Sequence, residues 1–243
     1  MIAVTAPMLQ SFAALLLAHV LADFVFQFNW MIERKRQFGV FLLHIAIVAA
    51  LSLAALGGGW QLALLVAGAH LAIDAIKTYA LPDGMRATFG AFTTDQIAHL
   101  ATIIAAVLWW PGAAAAGLWA GWLPLLLVPA LILSGFILTV RAGGHAVGLI
   151  TAPYAQEFKK QGLPKAGQMI GQLERAVIFL LILIGQPTGI GFLIAAKSLL
   201  RFEATKEQRA SEYVIIGTLT SFGWALAISS ATVALIGLAG RVG

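Results

Sequence analysis

Apolar runs recur along this chain, most of them about 20 residues and long enough to cross the roughly 30 Å hydrocarbon layer of a bilayer as a helix. Bounded by glycine, proline or charge, they fall at 8–29, 38–57, 60–80, 92–110, 118–140, 170–185, 189–202 and 212–238. A helix on the surface of a soluble protein keeps a polar face, and these runs do not. They predict an all-α fold, a polytopic transmembrane helix bundle of about seven or eight spans, with residues 1–243 forming one membrane domain. Residues 8–110 are expected to form a four-helix core module. Residues 118–243 supply the C-terminal helices, with a cytoplasmic loop over 141–169. The run at 189–202 is short for a span and also suits a half-helix covered by its neighbours. With 60% hydrophobic and 10% charged residues, the composition lies far outside that of soluble domains.

Basic residues give the orientation. Arg34, Lys35 and Arg36, then Lys77 and Arg86, then Arg141 to Lys165, then Arg201 to Arg209 occupy alternate connections, while "GGGW", "PGAAAAG" and "GQPTG" carry no charge. The excess of positive charge on cytoplasmic loops then puts both termini outside. The net charge of +5 belongs to loops that face anionic lipid, so membrane lipids are the expected partners and nucleic acid is not. The stretch 153–168 reads as an interfacial helix. No cleavable signal is expected, since the first run carries His19 and Asp23 and lacks a small-residue cleavage site. The absence of cysteine excludes disulfides and thiolate ligands.

Polar residues inside the first four runs then call for a reason. Four of the five histidines and three of the four aspartates lie there: His19 and Asp23, His44, His70 and Asp74, Asp95 and His99. Runs one and three read His-x-x-x-Asp, whereas run four, of opposite direction, reads Asp-x-x-x-His. In each the aspartate is nearer the cytoplasm, and an i, i+4 pair shares one helix face. The residues therefore share a layer about 5–10 Å deep. The first two spans also look like a repeat of the next two, with His19 and Asp23 matching His70 and Asp74, and His44 matching His99.

An ionised aspartate at that depth costs several kcal/mol unless something positive accompanies it. One or two divalent ions (Zn, Fe or Mn) would serve, because imidazole and carboxylate are the nitrogen and oxygen ligands those ions take. Gln27 and Gln96 would orient the ligands. The same residues also suit interhelical hydrogen bonding or a proton relay, as histidine titrates near neutrality.

The pattern "HVLADFVFQ", with His19, Asp23 and Gln27, followed by His44, "HLAID" and "DQIAH", resembles a bacterial integral-membrane family, domain of unknown function 3307. The resemblance covers roughly residues 10–110. It implies a membrane location and a functional core in the first four spans, and supplies no substrate.

In the C-terminal half, Arg175, Lys197, Ser198 and Arg201 are candidates to hold a lipid headgroup, with snorkelling to the interface as the alternative for the basic pair. His145 reads as a loop histidine, and Gly143 and Gly144 as a turn. The expectation is an integral membrane protein, specifically a divalent-metal-dependent enzyme, a hydrolase or oxidase, acting on a lipid-like substrate from the cytoplasmic leaflet. The alternatives are a metal-ion or proton-coupled transporter and a structural subunit of a membrane complex.

Overall fold

A computed structural model describes residues 3–154, 166–202 and 208–242, which are helical with no strand among them. Among the described residues, seven helices are long and apolar enough to cross a membrane: Ala6–Phe24, Phe38–Leu56, Trp60–Ala80, Phe89–Trp109, Ala120–Thr151, Ala166–Leu183 and Glu212–Val242. The protein is an all-α, multi-pass membrane protein. The run expected as an eighth span is α10 (Thr188–Phe202), whose 15 residues fall short of the length that crosses a bilayer.

The chain forms two compact units, residues 1–134 with 235–243, and residues 135–234. In the first, α1 (Ala6–Phe24), α3 (Phe38–Leu56), α4 (Trp60–Ala75) and α6 (Phe89–Trp109) close into a ring. Helices α1 and α4 each pack against both α3 and α6. Short helices α2 (Asn29–Glu33) and α5 (Asp83–Arg86) lie in the two basic connections at one end. At the other end, Gly57 takes the left-handed conformation that closes α3. A Cβ on Gly117 would lie 2.0 Å from the Leu56 carbonyl oxygen, so the irregular backbone after α6 can approach only there as glycine. That backbone is satisfied by protein: Leu118 N–H donates to Gly57 O (2.8 Å), Ser11 Oγ donates to Pro111 O (2.8 Å) and Ala114 N–H donates to Ser11 Oγ (3.1 Å). Lipid could satisfy none of these groups.

The two halves of the ring are in register at a spacing of 51. His19 and His70, Asp23 and Asp74, Phe38 and Phe89, Gly39 and Gly90, and Phe41 and Phe92 are all related by it. Helices α3 and α6 begin at this same spacing, and their buried positions correspond down the helix: Phe41 with Phe92, His44 with Asp95, Val48 with His99, Ser52 with Ile103. The repeat therefore aligns His44 with Asp95, correcting the expected match to His99, because the helix starts rather than the histidines define the register.

Two boundaries differ from expectation. Helix α1 stops at Phe24, where Phe26 N–H closes a wide turn on Leu21 O (2.8 Å), so Gln27 lies in the following bend and leaves the helix face that carries His19 and Asp23. In the second unit, a π-helical turn (Leu138–Ala142) joins α7 (Leu123–Ile137) to α8 (Gly143–Thr151), so helix continues where a loop from 141 was expected. His145 is helical and exposed. Gly143 and Gly144 serve packing: a Cβ on Gly143 would lie 2.6 Å from Trp224 Cδ1, and one on Gly144 3.0 Å from Arg175 Nη2. The interfacial helix expected over 153–168 lies, for 155–165, outside the described residues, and 166–168 open α9 (Ala166–Leu183).

Candidate functional site

All seven polar residues singled out in the first four spans converge inside the ring. His19 and Asp23 come from α1, His44 from α3, His70 and Asp74 from α4, and Asp95 and His99 from α6. His44 is 1% exposed, His70, Asp74 and His99 2%, and His19 and Asp95 6%. These are desolvation costs that hydrogen bonds or counter-charges must offset.

The tightest set lies where α3 meets α4. His44 Nε2 and His70 Nε2 are 3.2 Å apart. Asp23 Oδ1 lies 3.4 and 3.5 Å from them, and Asp74 Oδ2 lies 3.4 and 3.6 Å from them. Tetrahedral ligands at the roughly 2.0–2.1 Å bond lengths of zinc stand about 3.3–3.4 Å apart, and Asp23 Oδ1, His44 Nε2 and His70 Nε2, at 3.2–3.5 Å, have the separations of three such ligands. Asp23 Oδ1 is buried and has no hydrogen-bond partner among the described residues, as befits an oxygen aimed at an ion.

A looser set borders it. Asp95 Oδ1 and His99 Nε2 are 3.8 Å apart, and both are buried without a hydrogen-bond partner among the described residues. The rings of His70 and His99 stack with centroids 3.9 Å apart. Three groupings have ligand atoms within 4.8 Å of one another and so could hold a metal ion: His19 with His70 and His99, Asp23 with His44 and His70, and Asp23 with Asp95 and His99. Gln96 ties the sets together. Its Nε2 donates to Asp23 Oδ2 (3.3 Å) and Asp95 Oδ2 (3.2 Å), and its Oε1 lies 3.3 Å from His19 Nε2. Gln27 is half-buried in the bend after α1.

Two lysines that sequence reasoning assigned to loops enter the cluster. Lys35 Nζ, from the turn after α2, lies 2.8 Å from Asp74 Oδ2, and Lys77 Nζ donates to Asp95 Oδ2 at 2.9 Å. Lys77 sits in a π-helical turn, Ile76–Ala80, that extends α4 and shifts its residues relative to the α-helical face. The signal was present in the spacing, since each lysine sits at most three residues from a buried aspartate or a short helix end. Among the described residues, Asp23 is then the cluster aspartate with no lysine or arginine on it. On the side of the histidines away from the lysines, His19, His70 and His99 border a water-sized cavity with the hydroxyl-bearing Ser52 and Thr102. Beyond it, Leu15, Leu56, Leu62, Val66, Ile103 and Val107 form a contiguous apolar core.

The second unit treats the candidates for a headgroup differently. Arg175 is 2% exposed and donates through Nη1 to Ser221 Oγ (3.0 Å) and through Nη2 to Val140 O (3.1 Å), a carbonyl of the π-turn. Trp224 Nε1 donates to Leu138 O in the same turn (2.9 Å). Lys197 Nζ bonds Glu174 Oε2 at 2.5 Å and stands over the Phe222 ring. Ser198 Oγ donates to Ile194 O of its own helix. Arg175 and Lys197 are thus directed to separate partners. The side chain of Arg201 lies outside the described residues.

Residues 11–121 match a protein family of unknown function (DUF3307), a span that contains every residue of the cluster. No curated protein and no solved structure matches the chain.

Proposed function

We propose, for a chain whose residues 11–121 form a domain of the family DUF3307, a membrane-embedded, divalent-metal-dependent enzyme. One observation carries this reading: Asp23 Oδ1, His44 Nε2 and His70 Nε2 stand within 3.2–3.5 Å of one another, with Asp74 Oδ2 against the same two imidazole nitrogens at 3.4 and 3.6 Å. Two largely buried carboxylates meeting one pair of imidazoles concentrate negative charge that a divalent ion would offset. Nitrogen and carboxylate oxygen ligands suit Zn, Fe or Mn. Such an ion lowers the pKa of a bound water and polarises a substrate oxygen, the chemistry of a hydrolase. The cavity beside His19, His70 and His99 offers a place for that water. The substrate class follows from the location: a site within the bilayer receives lipid-like molecules, entering from the end where the basic connections lie. That end is the cytoplasmic leaflet of a bacterial inner membrane if basic loops mark the inside.

A transport reading draws on the two lysine–aspartate pairs, which resemble intramembrane relays for cations or protons. The apolar core beyond the histidines favours the enzyme, because a transported ion needs polar partners along the rest of its path.

Elemental analysis of the detergent-purified protein tests the proposal. The expected result is stoichiometric Zn, Fe or Mn in the wild type and its loss in His70→Ala. Metal at background level in a folded wild type, before and after incubation with each ion, sinks it.

A further inference from the structure

We propose that Lys35 is a tethered counter-ion of the metal site, seated on Asp74 when the site is empty and displaced when a divalent ion binds. This rests on the metal-binding reading above and adds to it the event by which the site fills.

One oxygen carries the argument. Asp74 Oδ2 lies 2.8 Å from Lys35 Nζ and also faces the two imidazole nitrogens of the candidate site, 3.4 Å from His44 Nε2 and 3.6 Å from His70 Nε2, close enough to join them on an ion. An ammonium in contact with that oxygen and a divalent ion bonded to it would repel each other at close range, in surroundings that screen charge poorly. They therefore compete. The lysine is built to yield: it is held by a turn, its side chain is 20% exposed against 2% for Asp74, and its flexible stem allows the head to swing towards water.

The internal repeat shows the displaced position. At the spacing of 51, Lys35 corresponds to Arg86 and Asp74 to Asp23. Yet Arg86 is turned away from Asp23: its Nη1 donates to Thr78 O at 3.0 Å, and it pairs with Asp83 of its own short helix. One half of the ring thus holds its cation on the aspartate, while the other holds it off. The half with its cation withdrawn presents the buried, unpartnered Asp23 Oδ1. Lys77 differs from both: its aspartate, Asp95, stands with Asp23 and His99 in a separate grouping and not with His44 and His70. An ion held between His44 and His70 therefore displaces Lys35 and leaves Lys77 in place.

Two measurements on the full-length protein, using zinc or manganese ion alone as the probe, test this. The first follows acylation of individual lysines by an amine-reactive reagent, read by mass spectrometry in metal-free and metal-loaded wild type. Loading is expected to raise Lys35 labelling several-fold and leave Lys77 unchanged. The second titrates the ion into Lys35→Met, which should bind at least about tenfold tighter than wild type, having lost the competitor. If wild type binds one ion with Lys35 reactivity unmoved, or if the variant binds no tighter, the counter-ion role is overturned while the metal site stands. Should neither wild type nor variant bind either ion, both the site and its counter-ion fall. If the methionine variant does not fold, wild-type labelling decides by itself.

Discussion

Both units of this protein bury charge, but they do so in opposite ways. In the second unit, most charged atoms meet partners: Arg175 donates through Nη1 to a serine and through Nη2 to a π-turn carbonyl, its Nε lacking a hydrogen bond among the described residues, and Lys197 meets Glu174. Cation and anion there hold helices together, the ordinary use of polar groups between membrane helices. In the first unit, carboxylates and imidazoles crowd together, with Asp23 Oδ1, Asp95 Oδ1 and His99 Nε2 left without hydrogen bonds among the described residues. Oppositely charged partners need nothing further. Converging carboxylates and imidazoles, the side chains that ligate metals, are an arrangement that an ion would complete.

The contrast can be tested by removing one group from each side. Asp23→Asn exchanges the unpartnered carboxylate for an amide and should cut bound metal by at least tenfold, on the order of what loss of one ligand does, as read by elemental analysis. Arg175→Met should leave metal content unchanged, since it belongs to the matched set.

Glu174→Gln takes the partner from Lys197, whose side chain is 14% exposed, and should destabilise the protein by about 1–3 kcal/mol in thermal unfolding in detergent. Adding Lys197→Met should recover most of that loss, because a pair removed together leaves no unmatched charge. Failure of the second change to rescue the first would place these residues outside the glue category.

Gly143→Ala tests how tightly the matched side is packed. The added methyl meets Trp224 Cδ1 at 2.6 Å and Arg175 Cδ at 3.0 Å, and a loss of about 1–2 kcal/mol is expected from overpacking. The smallest effect belongs to the exposed pair Arg36 and Asp83, 62% and 80% exposed, where Arg36→Ala should change stability by less than about 0.5 kcal/mol.

Much of this was legible before any coordinates. Apolar length gives the helices, since a bilayer leaves the backbone few alternatives. The mirrored order of His-x-x-x-Asp and Asp-x-x-x-His gives the layer, because i, i+4 spacing and helix direction together fix height and face. Three things were hidden, each for a local reason. Gln27 follows a helix end that no proline or glycine announces. Gly143 and Gly144 look like turn residues, yet they make room for Trp224 and Arg175, a property of the neighbour and not of the segment. Lys35 and Lys77 read as loop charge by position, and a long flexible side chain can cross a turn or more of helix to reach a carboxylate. Buried aspartates require positive charge, and part of it is already in the chain, on Lys35 and Lys77.

The spacing of 51 that relates the two hairpins of the ring has a consequence for how such a site can diversify. In a homodimer of one hairpin, ligands on the twofold axis come in identical pairs, and any substitution on one side is made on the other. A single polypeptide with both hairpins is released from that rule. Histidine at 44 can then stand where the other half has aspartate at 95, and lysine at 35 can enter the cluster while arginine at 86 stays out. Covalent linkage of the halves is thus what permits this protein an asymmetric centre inside a nearly symmetric frame.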